Sequence, residues 1–294
     1  MKLAATSWLI RLLSLAPLKL LHLLAVPLGW LIYALPWKKH AVVQTNLKLC
    51  FPELDRRGRA RLHRQHLIEL FRLVLEAGVI WHWSRQRIER HLRIEGWEQV
   101  IAANVAGRGI MIITGHLGNW ELLNLYVSMH LPLVVLYRAP EDTVLDRFIT
   151  RPRERFGGRM IAGGSPSLRH LLTQLKSGKA AGIAADIQPK RGEGIFVPLF
   201  SHQAMTMTLA NKLARRSNPA VFLAWAERRP RGRGWTLHFE PADDSIADDD
   251  ALAAMTPVSL WLESAIRKAP PQYLWIYKRF SRRPEGEARL YKKK

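Results

Sequence analysis

Cysteine is nearly absent. Cys50 is the one thiol in 294 residues, so no intrachain disulfide is possible and a reducing compartment is expected. The thiol itself reads as a small core hydrophobe. Acidic side chains are scarce as well: 24 Asp and Glu stand against 45 Lys and Arg, a formal net charge of +21 and a pI near 10.8. Partners should therefore be acidic, which leaves nucleic acid, an anionic membrane face or an acidic protein. The arginine runs come without a helix-turn-helix signature, an RNP motif or zinc-ligand spacing, and this argues against nucleic acid. His63 and His66 have Glu69 as the one further candidate ligand nearby, and three ligands at successive i+3 steps drift around a helix. The aspartates at 243, 244 and 248 to 250 lack the glycine and spacing of a calcium loop. No metal and no cofactor is expected. A long uncharged run is missing too, since the stretch from Leu20 to Pro36 falls short of the ~20 residues that span a bilayer.

That stretch belongs to a segment, residues 3 to 36, that is almost wholly apolar, with Arg11 and Lys19 its formal charges. No small-x-small cleavage site follows, so it does not read as a cleavable signal. Arg11, Lys19 and His22 fall on one helical face, a cationic stripe that suits an interfacial helix with side chains reaching headgroups. Residues 1–36 are read as a membrane anchor, spanning or interfacial. If the segment spans, the Trp37-Lys38-Lys39 edge puts the rest on the cytoplasmic side. With 48% hydrophobic residues, 37–294 can bury one large α/β core.

The chain is organised around Gly109 to His130, GIMIITGHLGNWELLNLYVSMH. Ile110 to Ile113 form a short apolar run bounded by glycine, a buried strand. Asn119 is a good N-cap, and Leu122, Leu123, Leu125, Tyr126 and Met129 give a helical stripe. His116 therefore sits in a strand-to-helix loop at the carboxyl end of a strand, where ligands bind in open α/β sheets. The spacing His116-x4-Glu121 has two readings at this level. Imidazole suits proton transfer near neutral pH, and a carboxylate on its other nitrogen fixes the tautomer and stabilises the imidazolium. Alternatively, Glu121 complements the helix dipole and His116 is a polar loop residue.

Elsewhere the pattern is helical from 42 to 83 with a turn at Cys50-Phe51-Pro52-Glu53. Residues 132–137 and 180–185 read as buried strands, 143–151 as a helix that Pro152 ends or kinks, and 168–175 as another helix. From Asp186 to Phe200 regular structure is broken, with a helix opening near Ala204. Residues 219–226 and 235–239 read as a paired sheet edge, and 257–268 as a helix. Lys190-Arg191-Gly192 is either a weak phosphate cradle or a solvated loop.

Several blocks carry a resemblance. TGHLGNWE resembles the His-x4-acid signature of glycerolipid and lipid A acyltransferases. TNLKLCFPELDRRGRARLHRQHL, YRAPEDTVLDRFITRPRERFGG, DIQPKRGEGIFVPLF and PPQYLWIYKRF resemble further blocks of the same family, from about Val42 to Glu285. Ser201 departs from a family glycine. Together they look like the late, or secondary, lipid A biosynthesis acyltransferases of the lysophospholipid/glycerolipid acyltransferase superfamily. The resemblance implies a single α/β domain with a mainly parallel sheet flanked by helices. It implies transfer of a fatty acyl chain from acyl carrier protein to a hydroxyl of a lipid A precursor at the cytoplasmic face of a bacterial inner membrane. His116 would be the general base and Glu121 would orient it. Arg138 and Arg155 would hold anionic groups of the acceptor, with Asp186 ordering that arginine network. The turn suggests the Gly118 and Asn119 amides as oxyanion donors. Arg147, Arg151, Arg153 and Arg159 are candidates for docking the acidic carrier. Another glycolipid, phospholipid or aminolipid acceptor, or an acyl-coenzyme A donor, would suit the same motifs, and a basic nucleic-acid-binding protein is the reading from a different class.

Overall fold

A computed structural model describes residues 2–190 and 192–291; Arg191, in the candidate cradle, lies outside the described residues. Among the described residues nine strands are formed: β1 Leu92–Glu95, β2 Ile110–Thr114, β3 Leu133–Tyr137, β4 Arg159–Ala162, β5 Ala180–Ala184, β6 Gly194–Leu199, β7 His202–Met207, β8 Ala220–Arg228 and β9 Trp235–Pro241. The helices are α1 Lys2–Leu15, α2 Leu18–Ala34, α3 His40–Cys50, α4 Arg56–Leu75, α5 Ala77–His82, α6 Arg85–Glu89, α7 Trp97–Val105, α8 Trp120–His130, α9 Thr143–Arg153, α10 Ser165–Lys176, α11 Leu209–Ser217 and α12 Ala251–Lys268.

Seven strands make one sheet in the order β1-β9-β8-β2-β5-β3-β4. The run β8-β2-β5-β3-β4 is parallel, whereas β9 is antiparallel to β8 and carries β1 parallel to itself. Alternation along β2 explains why both faces are covered. Met111 and Ile113 enter the cluster containing Leu171, Leu213, Met255 and Val258 of α10, α11 and α12. Ile110 and Ile112 enter the opposite one, with Val100 of α7 and Leu123, Tyr126 and Val127 of α8. A parallel strand buried on both faces needs an unbroken apolar run, which IMII supplies.

The N-terminal segment departs from the single anchor helix expected. It is two helices broken at Ala16–Pro17, because proline at that point cannot continue α1 yet suits the start of α2. Among the described residues no helix is long and apolar enough to cross a membrane. One face of the pair packs on the domain: α1 on α5, α2 on α4, with Leu18 and Leu21 buried beside Val79, Leu122 and Leu125. His22 is likewise buried, its Nε2 2.6 Å from Glu76 Oε1, so it does not join Arg11 and Lys19 in a surface stripe.

Two other expectations are corrected. Residues 194–207, read as broken structure leading into a helix, form the antiparallel hairpin β6–β7. Its turn residues Phe200 and Ser201 take φ 49° and 60°, the left-handed pair a two-residue hairpin requires, without the family glycine. Helix α9 also runs through Pro152 to Arg153, its proline falling in the last turn.

Candidate active site

Pairing register builds the site. Thr114 of β2 lies opposite Ala184 of β5, and the Ala185 N–H donates to the Thr114 carbonyl at 2.8 Å, so the chains leave the sheet side by side. Two residues on, His116 and Asp186 meet. The His116 backbone N–H donates to Asp186 Oδ2 at 2.7 Å, and His116 Nδ1 lies 2.8 Å from Asp186 Oδ1. This corrects the expectation for Glu121. The carboxylate in contact with the imidazole belongs to Asp186, while Glu121, in the first turn of α8, is turned to Arg153 at the end of α9. Arg153 Nε donates to Glu121 Oε2 at 2.7 Å and Nη2 to Oε1, a bidentate pair. Glu121 still acts on His116 through its charge.

Burial opposes a charge on His116, but the Asp186 carboxylate, by charge and hydrogen bond, and then Glu121 outweigh it and raise the imidazole pKa, with Arg153 pulling the other way. For Asp186, burial also opposes ionisation; His116 and then Arg279 outweigh it and hold the carboxyl below its usual range. With Nδ1 committed, Nε2 is the nitrogen available to a substrate proton. Trp120 packs edge-on against the ring at 4.8 Å.

The loop after His116 is rigidly held, and this removes the expected oxyanion donors. The Gly118 N–H donates to the Gln272 carbonyl at 3.1 Å and the Asn119 N–H to the Ala226 carbonyl at 2.9 Å, so both amides are already satisfied. Glycine is required at 118: φ is +64°, and a Cβ there would stand 1.8 Å from the Ala226 oxygen. Asn119 caps α8 by accepting from the Leu122 N–H, as expected, and its Nδ2 donates to buried Glu76 at 2.7 Å. Glu76 also receives Arg228 Nε at 2.7 Å and Nη2 at 2.8 Å. Burial opposes that charge too, but the guanidinium and His22 hold the carboxyl down to about 2.

Beside His116 opens a cavity of about 250 Å³. Its walls are apolar: Ile112 from β2, Leu123 and Val127 from α8, Leu133 and Val135 from β3, Gly182 and Ile183 from β5. Polar groups enter from His116, Glu121, Arg138 and Arg153. Arg138 lines this cavity. Arg155 is not among the lining residues. It lies over Phe156, donates from Nη1 to the Trp83 carbonyl at 2.7 Å, and has its pKa lowered to about 10 by burial. Arg147, Arg151 and Arg159 are exposed, as docking requires, but Arg153 is engaged with Glu121.

Among the described residues no group of three His, Cys, Asp or Glu side chains is placed to hold a metal ion. His63 is buried against His40, Nε2 to Nδ1 3.1 Å, and His66 Nδ1 lies 3.2 Å from the Pro271 carbonyl. Sequence reading missed the closing segment as part of the site. The Leu274 N–H donates to the His116 carbonyl at 3.0 Å, and Tyr273 bridges Leu117. The available signal was the PPQYLWIYKRF block, whose aromatic density marks a buried segment.

Comparison with known proteins agrees over nearly the whole chain. Residues 4–282 match the family model described as bacterial lipid A biosynthesis acyltransferase. Among curated relatives, the chain is 30% identical to a lipid A biosynthesis lauroyltransferase of Escherichia coli (strain K12), over 94% of this chain and 90% of that one. It is 29% identical to a lipid A biosynthesis palmitoleoyltransferase of the same organism, over 86% and 82%. A phosphatidylinositol mannoside acyltransferase of Mycobacterium tuberculosis (strain CDC 1551 / Oshkosh) is 28% identical over 55% of this chain and 51% of its own length.

Proposed function

The chain belongs to the bacterial lipid A biosynthesis acyltransferase family, and on that premise we propose that it moves a fatty acyl chain from the thioester of acyl carrier protein to a hydroxyl of a lipid A precursor, with His116 as general base and Asp186 as its partner. The observation that carries this reading is the His116–Asp186 pair at an apolar cavity. His116 Nε2 takes the hydroxyl proton as the oxygen attacks the thioester carbonyl. The tetrahedral intermediate collapses with cleavage of the carbon–sulfur bond, and the imidazolium returns its proton to the leaving thiolate. No acyl-enzyme is needed, since the thiol, with a pKa of ~8.5, leaves far more readily than an alcohol. Asp186 stabilises the imidazolium. The apolar walls accept the acyl chain, and Arg138 and Arg153 meet the anionic groups or sugar of the acceptor.

The exposed arginines of α9 and β4 support the carrier as donor, because a basic rim near the site raises the encounter rate with an acidic protein. The assay that tests the whole reading combines purified protein, acyl carrier protein thioester and lipid A precursor, and expects a product heavier by one acyl group. Its kcat/KM should fall steeply with salt, since steering between exposed charges fades as the Debye length shrinks from ~10 Å at 0.1 M to ~3 Å at 1 M. At low salt Arg147→Glu with Arg151→Glu should cost roughly 10-fold with the carrier and much less with acyl-coenzyme A. Equal losses with both donors would remove the docking role.

The paired N-terminal helices support an interfacial seat on the inner membrane, with the catalytic domain on its cytoplasmic side. Trp8, Leu9, Leu12 and Leu15 on α1 and Leu20, Leu23, Leu24 and Leu31 on α2 are exposed on the side turned away from the domain. Each leucine buried in lipid contributes about 1.5–3 kcal/mol. Leu12→Glu with Leu23→Glu is therefore expected to lower partitioning into anionic vesicles by at least ~100-fold while leaving the thermal midpoint unchanged. Undiminished sedimentation with vesicles would assign membrane contact elsewhere. A second reading, a different glycolipid acceptor, is favoured by the likeness to the mannoside acyltransferase, and a panel of acceptor lipids in the same assay separates the two.

A further inference from the structure

The turn between β8 and β9 carries three arginines that acyl transfer leaves unused. Arg231 and Arg233 are exposed at its tip, and Arg229 is half-buried at its base. The turn is held in one place. Arg229 Nη2 donates to the His91 carbonyl at 3.3 Å and to the Arg233 carbonyl, while the Trp235 N–H donates to the same His91 oxygen at 3.0 Å. Pairing of Leu92 with Trp235 and of Arg93 with Thr236 then brings the exposed Arg93 alongside. On its other side the turn rests on α2. Gly232 has φ +68°, and a Cβ there would stand 2.5 Å from Lys19 Cα, so the close approach depends on the missing side chain.

That contact places the arginines at the break between the two N-terminal helices. Lys19 is exposed just after the break, and Leu15 and Leu20 on either side of it are 73% and 45% exposed. The carboxylates of this region are committed elsewhere: Glu89 pairs with Arg85, and Glu95 and Glu227 both hold His238. Among the described residues Lys19, Arg93, Arg229, Arg231 and Arg233 form no ion pair, so their charge is not neutralised within the chain. Resting on the reading of α1 and α2 as an interfacial seat, we propose that this turn, with Lys19 and Arg93, is a second membrane contact, one that binds the anionic phospholipids of the bilayer surface. An acidic protein would match the charge but offers no bed for Leu15 and Leu20. A bilayer supplies both, taking the leucines below its headgroups and the guanidiniums at the level of its phosphates. Two contacts also fix the tilt of the domain, which a helix pair alone would leave free to roll.

Arg231→Gln with Arg233→Gln tests this, since both side chains are exposed and the thermal midpoint should not move. Binding of the full chain is measured by sedimentation with vesicles of phosphatidylglycerol mixed with phosphatidylcholine, and with phosphatidylcholine alone. A basic residue at an anionic surface contributes about 5-fold in partitioning, so the pair should cost roughly 25-fold on the mixed vesicles. The loss should fade at high salt and be nearly absent on phosphatidylcholine, and Arg231→Lys with Arg233→Lys should restore binding. Undiminished binding to the mixed vesicles, or an equal loss on both kinds, would overturn the proposal. So would a drop in kcat/KM with acyl carrier protein and detergent-dispersed acceptor while vesicle binding holds, which would make the turn a carrier dock. The interfacial seat fails separately, through undiminished sedimentation of Leu12→Glu with Leu23→Glu, so the two failures are distinguishable.

Discussion

His116→Ala is expected to lower kcat by roughly 10²–10⁴, the contribution that general-base catalysis supplies, with KM for the acyl donor little changed. On the proposed mechanism the imidazole meets the acceptor proton only as the reaction proceeds, whereas the acyl chain would lie against cavity walls that the substitution leaves alone. The fold should survive. The His116 side chain is about one-fifth exposed, and the hydrogen bond from its backbone N–H to Asp186 does not depend on the ring. Single-turnover rates with matched thermal midpoints check this. In the unsubstituted enzyme, activity should fall as pH drops through the raised His116 pKa, because the protonated ring cannot accept a proton. An alanine enzyme with near-normal turnover would end the mechanism. The same result would leave the family assignment intact, since that rests on likeness over residues 4–282.

How far the site can be read from sequence depends on how far apart its parts lie in the chain. The strand, loop and helix around His116 are local, and each carries its own signal: the apolar run, the glycine, the capping Asn119 and the helical stripe all occur within two dozen residues. The mainly parallel sheet was legible for the same reason, since short apolar runs alternate with helices. Asp186 was singled out, but its role was not. Seventy residues separate it from His116, and only the β2–β5 register brings the two together. Glu121 competed for that role because the motif puts it near in sequence, yet the side chain points to Arg153, a residue of a different helix. The Gly118 and Asn119 amides suffered the same blindness: their partners, Gln272 and Ala226, lie over a hundred residues away. The β6–β7 hairpin was missed because its turn uses Phe200 and Ser201, residues that rarely announce a left-handed pair.

Asp186→Asn is expected to cost about as much as removing the base itself, roughly 10²–10⁴ in kcat, although the two side chains have the same shape. The carboxylate accepts two hydrogen bonds at once, from the His116 backbone N–H and from Nδ1–H. Asparagine offers one oxygen. If that oxygen keeps the backbone bond, the amide NH2 faces Nδ1, which must then become the acceptor. The ring proton moves to Nε2, and the nitrogen that should receive the substrate proton no longer can. Loss of the negative charge also lowers the His116 pKa, so the acid limb should shift down even as the plateau collapses. Glu121→Gln separates this from the spacing-based assignment. Glutamine still reaches Arg153 through one oxygen but cannot hold it bidentately, so its main cost should fall on the acceptor KM. Measured side by side with acceptor concentration varied, Asp186→Asn should dominate the loss of kcat. If Glu121→Gln instead abolishes turnover at saturating acceptor while Asp186→Asn retains it, Glu121 must swing onto His116 when substrate binds. Asp186 would then be a structural carboxylate that fixes the loop, and the sequence motif would have named the dyad correctly from the start.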